Sequence, residues 1–421
     1  MLRKALLGIV PALVAFGCSA APSNDEGTDA FGELTSDEAT FLDFQFEGEV
    51  IAPSTVVARQ AIITQLYYTE GRLTHLGGNS RPGYVKLKGV KSEPAGEGLQ
   101  KIKYKAELPV LWPARTRQPT EYRVAYPRQV DQASLDAFNA KYDGRCGKNE
   151  YGQATFWHDF DPGVEGCTLD ADVVAVRARV VPSAGVSSEI KYPQYNKLYE
   201  DDLLKVVTVV GLDGWTDSPG DVGVHVFERF ISDVKGLITD EREVSRGVND
   251  FVLRDVTVTG KVSGKNYEHT FLLVSQMEHA NESFYRRFDE VTAKADIVTY
   301  DGHSGLGKNI KAVTSRGAVE RGQYQIWFLD GCNSLGYVDA SFTERRRTAN
   351  GRTDPKGTKF LDLIGNALPS QWPWDESTSF KLVRALSNPD APKTYDQILD
   401  EFPSNQVAAV IGDEDNTYNP R

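Results

Sequence analysis

The spacing of apolar and polar positions changes partway along the chain. From Phe41 to about Val181 it is mostly strand-like. Val56–Ile63 is rich in β-branched residues, Gln100–Leu108 alternates polar and apolar positions, and Gly77-Gly78-Asn79 is one of several turn signals. Val173–Val181 continues the pattern as a Val and Ala run broken by two arginines. Short strands with turn punctuation and no internal repeat predict an all-β domain over residues 41–185, sandwich-like or a barrel. Pro182–Ser188 reads as the linker that ends it.

Beyond the linker, residues 186–421 alternate strands with helices. Leu204–Val210 is a continuous apolar run of the kind a parallel sheet buries on both faces. Ser218-Pro219 offers an N-cap followed by proline at the first helical position, and Val222, Val226, Phe227, Phe230, Ile231 and Val234 then recur at helical spacing. Phe251–Val262, His269–Val274, Ile297–Tyr300, Tyr324–Leu329 and Gln406–Ile411 read as strands. Glu282–Ala295, Gly357–Leu368, Glu376–Leu386 and Tyr395–Phe402 read as helices. The alternation predicts an α/β domain with a mostly parallel sheet flanked by helices.

The N-terminus carries Arg3 and Lys4, then an apolar segment to Phe16 too short to span a bilayer, then Gly17-Cys18-Ser19. Gly17 before Cys18 resembles the lipobox of bacterial lipoproteins, which implies cleavage before Cys18 and its lipidation. Ala15 departs from the aliphatic residue usual three positions earlier. Residues 19–40 hold six acids and no Lys or Arg, with Gly, Pro, Ser and Thr between them, and read as an acidic tether. The expectation is a protein lipid-anchored in the bacterial cell envelope, with Ser19 resembling the outer-membrane sorting pattern. Its only membrane contact would be that anchor.

Composition narrows the partners. The 421 residues include 47 Lys and Arg against 59 Asp and Glu, a net charge of −12 that opposes general binding to nucleic acid. Four cysteines are too few for a disulfide scaffold. In an oxidising compartment Cys146 and Cys167 predict a disulfide, in preference to a metal site with His158 and Asp159, whose spacing gives no support. Cys332 is left over.

His303 and Cys332 each stand just past an apolar strand, in the glycine-rich turns Asp301-Gly302-His303-Ser304-Gly305 and Asp330-Gly331-Cys332-Asn333-Ser334. They lie about one strand-crossover-strand unit apart, so neighbouring parallel strands would bring both to the edge where open α/β sheets carry their sites. A thiol needs a base or an electropositive neighbour to act as a nucleophile at neutral pH, and an imidazole supplies it.

In the caspase-like cysteine peptidases, which include caspases, clostripain, gingipains, legumain and the self-processing protease domains of bacterial toxins, a strand ends in His-Gly and a later strand ends in a small residue and Cys; Tyr300-Asp301-Gly302-His303 and Trp327–Ser334 resemble that pattern in order, spacing and strand context. The resemblance covers roughly residues 200–415. It implies His303 as general acid/base and Cys332 as nucleophile. It also implies an oxyanion hole from the amides of Cys332 and of the residue after the histidine, at Ser304-Gly305. The family usually has glycine where this chain has Ser304, a departure that leaves a catalytically inactive binding scaffold as the alternative. Asp330, two before Cys332, implies a substrate-binding carboxylate suited to Arg or Lys, or else a brace for the turn. The basic run Arg345–Arg352 reads as a solvated loop, or, by the resemblance to the processed linker of caspases, as one open to self-cleavage after Arg.

The implied partner is a protein or peptide substrate, with no cofactor and no metal. A serine-hydrolase triad at Ser304 would need a later histidine in the chain, and His303 is the last one.

Overall fold

The described residues build two sheets, of six and nine strands. The computed structural model describes residues 34–35, 39–113, 117–149, 153–183, 191–214, 217–247, 249, 251–367, 370, 376–403, 406, 408–411 and 416–420. Cys18 and its flanking segment lie outside the described residues.

In chain order the first part contains strands β1 (Leu34–Thr35) and β2 (Ala39–Pro53), helices α1 (Ala58–Leu66) and α2 (Glu70–His75), and strands β3 (Asn79–Ser80), β4 (Lys86–Pro94), β5 (Leu99–Pro113) and β6 (Glu121–Pro127). Helix α3 (Gln132–Tyr142) and strand β7 (Val173–Pro182) complete it. The six-stranded sheet runs β3-β5-β2-β7-β6, with β4 also on β5, and every pairing is antiparallel. Phe44, Val50, Ile102 and Leu108 of the sheet pack with Ile62 and Leu66 of α1, Leu73 of α2, and Phe138 and Tyr142 of α3. The expected all-β sandwich is therefore overturned: helices, not a second sheet, share this core. The β-branched run at 56–63 falls largely within α1 because Ala61, Ile62, Gln65 and Leu66 together bury one helical face. A disulfide joins Cys146 and Cys167 and closes the loop after α3.

The second part contains α4 (Tyr195–Leu198), β8 (Leu203–Gly211), α5 (Val222–Leu237), β9 (Thr239–Ser245), β10 (Val252–Val262), β11 (Lys265–Val274), α6 (Glu282–Thr292), β12 (Ile297–Asp301), α7 (Lys308–Thr314) and β13 (Gln325–Asp330). It continues with α8 (Ser334–Tyr337), α9 (Ser341–Asn350), β14 (Leu361–Asn366), α10 (Thr378–Leu386), α11 (Tyr395–Leu399) and β15 (Ala408–Ile411). The sheet order is β1-β15-β14-β13-β12-β8-β11-β10-β9. The central strands β14, β13, β12, β8 and β11 are parallel, but β9, β10, β15 and β1 pair antiparallel. The expected mostly parallel sheet is thus corrected to a mixed one, half of whose pairings are antiparallel.

Both faces of this sheet are covered, one by α5, α10 and α11 through Phe227, Phe230, Leu382 and Ile398, the other by α6, α7, α8 and α9 through Phe284, Phe288, Ile310, Leu335 and Phe342. Leu361–Asn366, inside a span read as helix, is the fully buried strand β14. Its Asp362 is satisfied by the hydroxyls of Tyr324 and Tyr395, so a charge-bearing residue can sit in a central strand. Leu34 and Thr35, within the span read as tether, pair with Ile411 and Val410 at the sheet edge. Among the described residues no helix is long and apolar enough to cross a membrane.

Candidate active site

Three neighbouring parallel strands end at one edge of the nine-stranded sheet, and each runs into an Asp-Gly step: Asp213-Gly214 after β8, Asp301-Gly302 at the end of β12, and Asp330-Gly331 at the end of β13. Asp301 and Asp330 are partners in the β12–β13 register. His303 and Cys332 therefore stand two residues beyond a matched pair and emerge side by side. His303 is exposed and Cys332 half-buried, so neither is sealed in the core.

The histidine turn is pinned through its backbone. Tyr300 Oη and Asn309 Nδ2 both donate to the His303 carbonyl, each at 2.8 Å. Gly302 N donates to the Asp330 carbonyl at 3.1 Å, tying the two turns together. A Cβ on Gly331 would lie 2.8 Å from the Gly302 carbonyl oxygen, a clash that only glycine avoids.

The residue missed in the sequence is Asp213. Its Oδ1 lies 2.8 Å from His303 Nε2. Its loop is held by Asp221, whose carboxylate accepts from the amides of Asp213 and Gly214 and also caps α5 through Gly223 and Val224. Asp221, not Ser218, is thus the N-cap. The available signal was the repeated pattern of an apolar strand followed by Asp-Gly, which β8 shares with β12 and β13.

Ser304 is not strained where glycine was expected. It sits at φ −68°, ψ −21°, while the left-handed positions fall on Gly305 (φ 56°), Leu306 (φ 49°) and Gly307 (φ 91°). Ser304 Oγ donates to the carbonyl of Cys332 and so ties the histidine turn to the cysteine turn a second time. The amides of Ser304 and Cys332 have no hydrogen-bond acceptor among the described residues. Cys332 Sγ lies 3.4 Å from the carbonyl of Ser370 and donates to it.

Asp330 is buried beneath the cysteine turn, and its Oδ1 accepts from Asn366 Nδ2 (2.9 Å) and Gln406 Nε2 (2.7 Å). Burial pushes its carboxyl up to about 6, although both hydrogen bonds favour the charged form. Burial also holds Asp301 well above the ordinary carboxylate range, and the Asp330 charge beside it adds to the shift. Asp301 Oδ1 accepts from Ser377 Oγ at 3.2 Å, at the N-terminus of α10.

The basic run is partly helical and partly buried, not wholly an exposed loop: Arg347, Thr348, Gly351 and Arg352 are exposed. Arg345, Arg346 and Arg347 lie in α9. Arg346 is 1% exposed, over the rings of Phe342 and Trp327, and Arg345 donates to the carbonyls of Thr314, Arg316 and Gly317. Among the described residues no group of His, Cys, Asp and Glu is arranged to hold a metal ion. No family model matches the chain, and no curated protein is significantly similar to it.

Proposed function

We propose that the protein is a cysteine endopeptidase, exported and lipid-anchored at Cys18 in the bacterial cell envelope. The observation that carries the enzymatic reading is the alignment of Asp213, His303 and Cys332 at three adjacent strand ends, with His303 Nε2 bonded to Asp213. The motifs around His303 and Cys332 resemble those of the caspase-like peptidases.

The chemistry follows from the tautomer. A carboxylate only accepts, so the His303 hydrogen sits on Nε2 and Nδ1 is the basic nitrogen. Nδ1 takes the proton from the Cys332 thiol as sulfur attacks the scissile carbonyl carbon. The amides of Cys332 and Ser304 receive the oxyanion. The C–N bond breaks as His303 returns the proton to the leaving amine, and water then cleaves the thioester by the same steps in reverse order. The charge of Asp330, buried beneath the cysteine turn, favours a basic residue, Arg or Lys, before the scissile bond through its field rather than by direct pairing.

A second reading is a catalytically inactive binding scaffold. It is favoured by the contact between the Cys332 thiol and the Ser370 carbonyl, which is no catalytic partner. Covalent labelling separates the two. An electrophilic peptidyl ketone ending in Arg should modify Cys332 in the wild type and label it far more slowly in His303→Ala. Equal labelling of both would support the scaffold.

A further inference from the structure

The turn that carries Cys332 is gripped from two sides. On its own sheet, Ser304 Oγ donates to the Cys332 carbonyl, Asn366 Nδ2 to the Gly331 carbonyl, and Ser334 Oγ to the Leu329 carbonyl. The other side belongs to the six-stranded sheet. Asn333, the residue after the cysteine, is 2% exposed and held at φ 51°, ψ 25°. Asparagine tolerates this left-handed backbone better than most residues, but only surrounding structure keeps it there. Its Nδ2 donates to Thr74 Oγ1 of α2 at 3.4 Å.

Three residues further on, Gly336 meets Asn79 of β3 so closely that a Cβ on the glycine would lie 2.6 Å from Asn79 Oδ1. Asn79 is 1% exposed. Its register partner, Leu111 of β5, belongs to the same apolar cluster as Leu335, Tyr337 and Val338 of the cysteine segment. Segment 333–338 is thereby wedged between the two sheets. A separate module joined only by a linker would need none of these buried contacts.

From this we infer that the six-stranded sheet is a working part of the active centre, in which Thr74 and Asn79 are positioning residues that hold the Asn333–Gly336 turn and so set the orientation of the Cys332 thiol and amide. The consequence for turnover rests on the peptidase reading, whereas the consequence for thiol reactivity does not.

The test uses the full chain and follows iodoacetamide alkylation of Cys332 against pH, located by mass spectrometry, in wild type, Thr74→Val, Asn79→Ala and Thr74→Ser, with melting temperatures alongside. Thr74→Val, which removes one hydrogen bond to the turn, and Asn79→Ala, which opens the packing against Gly336, should each change the alkylation rate by about threefold or more, and Thr74→Ser should restore the rate lost in Thr74→Val. With a peptide substrate, kcat should fall in proportion while KM stays unchanged. Lowered melting temperatures with an unaltered alkylation profile would overturn the inference and reduce both residues to packing. Changed alkylation without any wild-type turnover would uphold the positioning role and sink the peptidase reading. Turnover with unaltered alkylation would do the opposite.

Discussion

Asp213 Oδ1 lies 2.8 Å from His303 Nε2, across two adjacent parallel strands that the sequence separates by 90 residues. Both side chains are about half exposed, so the pair adds little to stability. Its value is orientation. Asp213→Ala should lower kcat by about ten- to a hundredfold, the range expected when a catalytic group loses its alignment, and leave the melting temperature within about 1 °C. Asp213→Asn should reduce kcat less, because an amide oxygen can still accept from Nε2. Steady-state kinetics on the same peptide check this.

Ser304 should prove to be an asset. Its backbone is in the right-handed region, so Ser304→Gly relieves no strain and removes the hydroxyl that donates to the Cys332 carbonyl. The expected result is a lower melting temperature and lower kcat in both Ser304→Gly and Ser304→Ala, with glycine worse through backbone entropy. A rise in turnover on restoring the family's glycine would refute this account of the turn.

The Asp330 carboxyl, pushed up to about 6 by burial, gives peptide preference a pH dependence. It is charged above that value and neutral below it. The ratio of kcat/KM for Arg over Gln before the scissile bond should therefore climb from pH 5 to pH 8. In Asp330→Asn the ratio should be low and flat. An unchanged ratio in the variant would leave Asp330 as a brace only.

Glu70 gives a separate stability signature. It is buried, accepts from Ser80 Oγ, and burial pushes its carboxyl up to about 8 from the ordinary 4.5. A raised carboxyl pKa means the folded state holds its proton longer than the unfolded chain. The stability from Glu70 is thus full below about pH 4.5 and is lost as pH rises through about 8. Glu49, Asp131, Asp170 and Asp172 are shifted downward and act only at lower pH. Between pH 5 and 8 the wild-type melting temperature should fall, and Glu70→Gln should flatten that slope by a few degrees, which calorimetry at both pH values can read.

The legible parts of the sequence were those where local pattern and burial agree. Leu203–Gly211, Ile297–Asp301 and Gln325–Asp330 are buried on both faces and read as apolar runs, so their strand ends, and with them His303 and Cys332, could be found. Asp213 follows an apolar strand in the same Asp-Gly pattern as the other two turns, but its pairing with His303 depends on β8 lying next to β12, and no local spacing encodes that neighbour. Two short apolar runs have a period that their packing overrides. The 56–63 run belongs mainly to a helix, and Leu361–Asn366 is a strand whose buried Asp362 is satisfied by two distant tyrosines. Arg345–Arg347 looked solvated from charge alone, yet carbonyls and rings brought in from α7, β13 and the following turn bury much of it.

The most direct measurement of the central claim is turnover of fluorogenic peptides ending in Arg, Lys, Asp or Asn by the full chain, beside Cys332→Ala and His303→Ala. The account predicts cleavage by the wild type, fastest after Arg or Lys. Activity should be abolished in Cys332→Ala and reduced at least a hundredfold in His303→Ala, about the contribution of a general acid/base. Cleavage that persists in Cys332→Ala, or a wild type inert toward every peptide, would contradict it.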